Sequence, residues 1–510
     1  MNFTIAIDQS TSATKALLFD EQSKLVATAS VVHQQYYPQP GWVEHDAEEI
    51  YRNTIKAIRE VIDKLSFNSQ ASTINQLPPS QGGTGWVFSL ALTNQRETVV
   101  IWNRTTGKPI SKAVVWQCMR GADICNQLKT DGYSPMVKEK SGLLIDPYFA
   151  GSGAKWLLDN IPGAREEAEK GNLCFGTIDS WLIYKLTEGR CHLTDYTNAS
   201  RTLLFNIHTL DWDDDLLKML TIPRSMMPKP LPCDAVYGET TVEGLFAQPI
   251  QIAGVLGDSH GALAGQMCYQ AGFGKATYGT GSSVMVNIGE KAAEAPAGLV
   301  TSIGFAANGK VFYAFEGNIH CTGATIQWLK NQLRLINDAS EIEAIATSVD
   351  DNGGVYFVPA FSGLGAPWWN DQVKAAISGL TLASTKAHVC RATLESIAYQ
   401  IADLIGAMTT SAGIQLQEVR VDGGPTKNRF LMQFQADMLQ VPVVRSEVED
   451  ASAFGALIMN GFALGKWHSF EEAAKVWTAE APIVPQKSAA DMQPLYDGWH
   501  HAVQCLMRNA

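Results

Sequence analysis

Four short stretches of this 510-residue chain combine residue types that could do chemistry. In Gly257-Asp258-Ser259-His260-Gly261-Ala262-Leu263 an acid follows an apolar run (252–256) and precedes small residues, so Asp258 stands where a strand gives way to a helix. A carboxylate there either caps the helix or, opening on a cleft, takes the proton of a hydroxyl nucleophile. His260 is the weaker base. Asp258, Ser259 and His260 do not make a triad, because three consecutive side chains do not converge on one point. In Asn94-Gln95-Arg96-Glu97 an arginine fork beside a carboxylate suits the neighbouring hydroxyls of a polyol. Trp102, Trp116 and Tyr148 downstream offer aromatic faces for its C–H side. A surface ion pair and three core aromatics are the alternative reading.

The third stretch, Asp8 to Lys15, is a tight turn rich in small hydroxyl residues. Thr11, Ser12 and Lys15 could aim N–H, hydroxyl and ammonium groups at phosphate oxygens, with Asp8 at the strand end holding the water shell of a Mg²⁺ ion. An ordinary Ser/Thr hairpin turn has the same composition. In the fourth, Tyr278-Gly279-Thr280-Gly281, glycine on either side of Thr280 lets the backbone approach a ligand closely. Two such turns in opposite halves are what a nucleotide clamped between domains needs.

The elements around these stretches read as an α/β layer. Residues 3–7 and 15–19 form an apolar hairpin, 25–32 a third strand, and 47–64 an amphipathic helix with Ile50, Ile55, Ile58, Val61 and Ile62 at helical spacing. Residues 66–85 are polar, with Pro78-Pro79 and Gly82-Gly83 and no period, and read as a surface insertion. A strand resumes over 86–92. The second half repeats the plan: strands at 276–278 and 284–288 flank the glycine turn, and 419–421 runs into Asp422-Gly423-Gly424 and a helix over 428–439. The pattern predicts two similar domains, 1–250 and 251–510, with a ligand in the cleft between them.

At about 150 residues per domain the length calls for two or three cores. The chain is 46% hydrophobic and 18% charged, as in ordinary globular proteins. Its net charge of −12, with scattered basic residues, excludes a nucleic acid or anionic membrane as the main partner. Nine cysteines without a C-x-x-C pair indicate neither a disulfide framework nor a zinc site, and fit the reducing cytoplasm. No signal-peptide pattern or membrane-length apolar run is expected. The first turn lacks the G-x-G-x-x-G of a nicotinamide dehydrogenase.

Long segments carry a resemblance: PGWVEHD from Pro40, TNQRE from Thr93, VWQC from Val115, GLLIDPYF from Gly142, TDYTNASRTLLFNIHTLDWDD from Thr194, VPAFSGLGAP from Val358, RATLESIAYQ from Arg391 and VDGG from Val421. On these the chain resembles the FGGY carbohydrate kinases over essentially its whole length, and among them those that act on glycerol. The resemblance implies two actin-like (ribonuclease H-like) α/β domains, an ATP–Mg²⁺ site in the interdomain cleft, and phosphoryl transfer to a terminal hydroxyl of glycerol or a similar small polyol. It makes Asp258 the catalytic base, and Arg96, Glu97, Trp116 and Tyr148, with Asp258, the polyol contacts. Thr11, Ser12, Lys15, Thr280, Gly323, Gln327, Gly424 and Asn428 become nucleotide contacts. Asp8, and Asp258 through water, lie near the metal. A cytoplasmic homodimer is the expected form.

Departures from the family pattern fall in the site. Ser259 stands where Gln is usual and Ser283 where an aromatic is usual, so two bulky pocket walls are missing. Such contacts discriminate by about 1–3 kcal/mol each, which leaves a four- or five-carbon polyol or ketose as the alternative acceptor. In the first turn Ser10 replaces Gly, Ala13 a hydroxyl residue, and Lys15 an Arg, keeping the charge but losing the fork. Ala150 and Gly153 stand for Ser and Lys, and Glu243 to Gln248 for a Gly-rich basic loop that binds a sugar bisphosphate in some members. An actin-like ATP-binding regulator without catalysis is the remaining alternative; Asp258, Arg96 and Glu97 speak against it.

Overall fold

A computed structural model describes residues 2–68, 87–448 and 450–508. Apart from its first three residues, which end a helix, the 66–85 insertion lies outside the described residues.

The chain divides into two compact units, and the division differs from the expected one at residue 250. The first comprises Met1–Met267, Ser302–Tyr313 and Asp450–Trp477; the second Cys268–Thr301, Ala314–Glu449 and Thr478–Ala510. The strand Ile250–Gly257 pairs in parallel with Val87–Asn94, so it and Asp258 belong to the first unit. A boundary drawn from the apparent repeat missed this because the strand completes a sheet begun at the amino terminus.

The sheet of the first unit runs in the order Leu25–Val32, Ala13–Phe19, Asn2–Gln9, Val87–Asn94, Ile250–Gly257, Val236–Thr240. The three amino-terminal strands are antiparallel neighbours, and Asn2–Gln9, Val87–Asn94 and Ile250–Gly257 run parallel. Parallel central strands are apolar on both faces because both are covered. Ile5, Ile7, Leu90, Leu92, Ile252 and Val255 are all buried, and Ala47–Asn68 lays Ile50, Ile58 and Val61 into the same core. Burying each such side chain contributes about 1.5–3 kcal/mol. Asp46 accepts the N–H groups of Glu48 and Glu49 at this helix's start (2.9 and 3.2 Å). Trp102, offered above as a ligand-covering aromatic, is in the core too, edge-on to Trp181 at 5.4 Å.

The register sets the chemistry in one row. Asp8 lies opposite Lys15 on one side and Thr93 on the other, and Asn94 lies opposite both Gln9 and Gly257. The residues that follow, Gln95 to Glu97 and Asp258, therefore emerge together at the carboxyl ends of parallel strands, where open α/β sheets bind ligands.

The second unit repeats the plan with Ser282–Gly289, Phe273–Tyr278, Glu418–Asp422 and Val443–Arg445 side by side in that order. Phe273–Tyr278 pairs antiparallel with Ser282–Gly289 and parallel with Glu418–Asp422, as Asn2–Gln9 does with its neighbours in the first unit. The long helix Lys386–Ala412 packs on this sheet and the helix Ala489–Arg508 closes the unit.

Candidate active site

Asp258 opens the helix Asp258–Gly265, but Gly257 is its cap, and no side chain caps it. The Asp258 carboxylate instead accepts the Ser259 N–H at 2.6 Å and meets Arg96 Nε at 3.1 Å, with 38% of the side chain open to solvent. That openness separates a base from a cap. Gly257 is required here: a Cβ would lie 2.3 Å from Arg96 Cγ. The helix itself is held backbone to backbone against Ala451–Ala463. A Cβ on Gly265 would meet the Ala451 carbonyl oxygen at 2.0 Å and one on Gly455 that of Gly261 at 1.9 Å. Ser452 Oγ–H also donates to the Asp258 carbonyl (2.8 Å). His260 is fully buried, which removes it as a base open to a substrate.

From Asp258 an unbroken run of contacts crosses the first unit. Arg96 Nε lies 3.7 Å from Glu97 Oε1, and the same oxygen accepts Arg201 Nε–H at 2.7 Å. The Arg201 guanidinium lies 6.0 Å from the Tyr148 ring centre, Tyr148 meets Trp116 edge-on at 5.5 Å, and Trp116 Nε1–H donates to Thr11 Oγ1 at 3.0 Å. The polyol candidates Arg96, Glu97, Trp116, Tyr148 and Asp258 are thus gathered beside the first turn. Arginine and carboxylate offer donors and acceptors; the half-exposed rings offer apolar faces.

Beneath this surface is a buried network that the sequence reading quoted only as part of a long segment. Asn94 and Asn198 exchange two amide hydrogen bonds (2.9 and 3.1 Å), Thr197 Oγ1 accepts the Gly257 N–H (2.9 Å), and Asp195 caps the turn Tyr196–Ala199. Burial, with Asp179 nearby, lifts the Asp195 carboxyl to about 7. A run of Thr, Asp and Asn ending in Arg and bounded by apolar residues was the available signal, since such groups are buried only when paired. The segment braces the ends of both strands that deliver Arg96 and Asp258.

The first turn is closed by Ser10, whose N–H and Oγ–H both donate to the Ala13 carbonyl (2.9 and 3.0 Å). His33 Nε2–H donates to the Thr11 carbonyl (2.9 Å), and Ser12 is exposed at the tip. Lys15 Nζ lies 2.9 Å from Asp450 Oδ2 and 3.6 Å from Asp8 Oδ2. Asp450, which also caps Ala451–Ala463, was not foreseen; an acid directly before a small-residue helix was its signal. Burial, with Asp450 beside it and Asp258 adding to the effect, holds the Asp8 carboxyl well above the usual carboxylate range. Asp8 and Asp450 share one lysine, and Asp258 lies close enough to act on Asp8; that surplus of negative charge is one a divalent cation would relieve, so the donor set suits Mg²⁺. Among the described residues no group of three or more His, Cys, Asp or Glu stands in direct ligating geometry.

In the second unit a pocket of about 910 Å³ is lined by Thr280, Gly323, Gln327, Gly424 and Asn428, among others. All five are residues expected to contact a nucleotide. Their backbone is tightly tied: the Thr280 carbonyl accepts the N–H of Thr322 and of Ala324 (2.9 and 3.0 Å), and Gly323 N–H donates to Gly279 (2.9 Å). Gly423 has φ +98°, and a Cβ there would lie 2.0 Å from the Tyr278 carbonyl oxygen. Gly424 has open space where a Cβ would stand, leaving backbone facing the pocket. Asn428 also caps Arg429–Leu439 through its Oδ1, so a cap and a pocket lining coincide. The volume lies in the range of small-molecule and cofactor sites, about 300–1,000 Å³.

With two sheets of one plan, an acid–arginine–aromatic cluster on one unit and a glycine-framed pocket on the other, the molecule has the parts of a two-domain sugar kinase. The chain belongs to the FGGY family of carbohydrate kinases: the family's N-terminal domain matches residues 3–265 and its C-terminal domain residues 274–464. It is 46% identical over 503 residues to glycerol kinase 2 of Thermotoga maritima, covering 99% of this chain and 98% of that protein. It is 48% identical to glycerol kinase of Geobacillus sp., covering 99% of each. Among solved structures it resembles Plasmodium falciparum glycerol kinase with ADP, with TM-score 0.93, 33% identity, and 99% of this chain and 98% of that one covered. Xylulose kinase of Lactobacillus acidophilus, at 20% identity and TM-score 0.86 over 99% of each chain, shares the fold. The actin-like, two-domain α/β fold expected from the sequence is therefore the observed one.

Proposed function

We propose that the protein is an ATP-dependent kinase of glycerol, forming sn-glycerol 3-phosphate, and that the contact run from Asp258 to Thr11 is its acceptor site. That run carries the reading: base, arginine, carboxylate and aromatic faces meet beside a phosphate-sized turn. The full-length likeness to proteins named glycerol kinase supports it, and the ADP held by the Plasmodium relative supports reading the 910 Å³ pocket as the nucleotide site.

In this mechanism Arg96 and Glu97 hold two adjacent hydroxyls of the acceptor, and Trp116 and Tyr148 cover its carbon edge. Asp258 accepts the proton of the terminal hydroxyl as the oxygen attacks the γ-phosphorus in line. Arg96, at 3.1 Å, orients the Asp258 carboxylate. Thr11, Ser12 and Lys15 take the transferring phosphoryl group, and Thr280, Gly323, Gln327, Gly424 and Asn428 hold the rest of the nucleotide. Asp8, and Asp258 through water, would hold Mg²⁺, which neutralises charge on the phosphates. A cytoplasmic homodimer belongs to the same reading. The described residues contain no helix long and apolar enough to cross a membrane.

The test is ADP release over a panel of glycerol, erythritol, pentitols and pentuloses. The reading expects glycerol to give the highest kcat/KM; a pentulose preferred tenfold or more would replace it. Ser283 favours attention to that second reading, because it takes a hydrogen bond from the buried Lys275 (3.2 Å) instead of offering an aromatic wall. Restoring bulk with Ser283→Phe and Ser259→Gln is expected to lower the KM for glycerol several-fold, and an unchanged acceptor ranking would contradict the missing-wall account.

A further inference from the structure

The residues assigned to the acceptor are held by one group that does not belong to that set. Arg201 is 2% exposed. Its Nε–H donates to Glu97 Oε1 at 2.7 Å and its Nη1–H to Ser302 Oγ at 2.7 Å. Its guanidinium also lies 5.0 Å from the centre of the Phe149 ring and 6.0 Å from that of Tyr148. One planar cation thus reaches both the carboxylate and the aromatic wall of the acceptor site, from a side where solvent does not enter. Its backbone is fixed as well: the Arg201 N–H donates to the Asn198 carbonyl (3.0 Å), and Asn198 is locked to Asn94. Strand end, guanidinium and carboxylate form a closed frame.

We propose that Arg201 is a positioning residue for the acceptor, setting the Glu97 carboxylate and the Tyr148 ring at the separation a short vicinal diol fits; the inference rests on the polyol-kinase reading of that site. Glu97 presents two oxygens, and Arg201 draws on Oε1, which orients Oε2. The Arg96 contact at 3.7 Å is too long to be a hydrogen bond, so Arg201 is the closer partner of that oxygen. A lysine at 201 keeps the charge but supplies a single compact ammonium, unable to reach Glu97 and Ser302 in fixed directions while lying beside two rings.

Arg201→Lys, Glu97→Gln and the double variant are compared by steady-state kinetics with glycerol and ATP each varied, alongside thermal melting. The expected result for Arg201→Lys is a KM for glycerol raised about tenfold with the KM for ATP within twofold. In the double variant the two effects are expected to multiply to far less than their product, because both act through one carboxylate. An unchanged glycerol KM, or fully multiplicative effects, overturns the proposal. So does a parallel loss in every parameter that follows a lowered melting temperature, the mark of a merely structural role. Where Arg201→Lys does not fold, Ser302→Ala removes only the far anchor: a glycerol KM raised two- to fivefold with ATP unaffected supports the proposal, and no change overturns it. Failure of the parent protein to phosphorylate glycerol defeats the functional reading itself, whereas an active parent with an indifferent Arg201→Lys defeats the positioning role alone.

Discussion

Single residues differ in how far their type alone reveals their work. Asp258 stood out because an acid between an apolar run and a small-residue run has only two plausible uses; Gly257 takes the cap position, and the 38% exposure of the Asp258 side chain is compatible with the proposed role as base. Arg201 and Asp450 were not legible as site residues, since their partners, Glu97 and Lys15, lie far away in the chain and only the fold joins them. Two histidines behind the first turn make a prediction at this scale. His33 and His45 meet edge-on at 4.9 Å, and His45 Nδ1 accepts from Gln95 Nε2 at 3.3 Å. Burial, with His33 beside it, pulls His45 from 6.5 down to about 3. A histidine with a lowered folded-state pKa contributes stability above its unfolded value of 6.5, and that stability is lost as pH falls from 6.5 toward 3. Between pH 6.5 and 5 the loss assigned to His45 is about 2 kcal/mol. His45→Asn is expected to flatten this part of the pH dependence of unfolding in urea, and a slope as steep as the parent's would exclude the assignment.

Elements were read more easily than their neighbours. The strand Leu25–Val32 and the helix Ala47–Asn68 follow from period and turn chemistry, because a half-buried element writes its exposure pattern into the sequence. Pairing was harder: that Ile250–Gly257 joins Val87–Asn94 depends on a crossover of more than a hundred residues, about which local pattern is silent. Gly261, Gly265 and Gly455 form the contact surface of two helices, a close approach that no local pattern marks. Gly455→Ala puts a methyl group against the Gly261 carbonyl and is expected to cost about 1–3 kcal/mol. Because Asp258 opens the displaced helix, kcat is expected to fall several-fold while ADP affinity is kept. Parent-like stability and turnover would show that the close approach is dispensable.

For the whole molecule the sequence foretold two units of one plan and misplaced their division, since Ser302–Tyr313 and Asp450–Trp477 return to the first unit after long excursions. In the proposed reading the acceptor site lies on the first unit and most nucleotide contacts on the second, so each unit is expected to respond to its own ligand by mass action. In scanning calorimetry ADP is expected to raise the transition of the second unit and glycerol that of the first; a common shift with either ligand would mean the units melt as one. Asp403 gives a second handle. It accepts hydrogen bonds from Trp368, Tyr496, Trp499 and His500 (3.0, 2.6, 2.8 and 2.8 Å), joining Ala489–Arg508 to Lys386–Ala412. Stranding buried donors costs about 1–3 kcal/mol each, so Asp403→Ala is expected to lower the ADP-responsive transition selectively, and an equal lowering of both would contradict the assignment. The account as a whole turns on proton transfer at Asp258, and the most direct measurement is glycerol-dependent phosphoryl transfer by Asp258→Asn, followed by phosphorus NMR of the product, with ADP affinity measured on the same protein. The predicted result is sn-glycerol 3-phosphate formation by the parent and a kcat lowered about 10²–10⁴-fold in the variant, with ADP bound as before; parent-like turnover by Asp258→Asn would contradict the account.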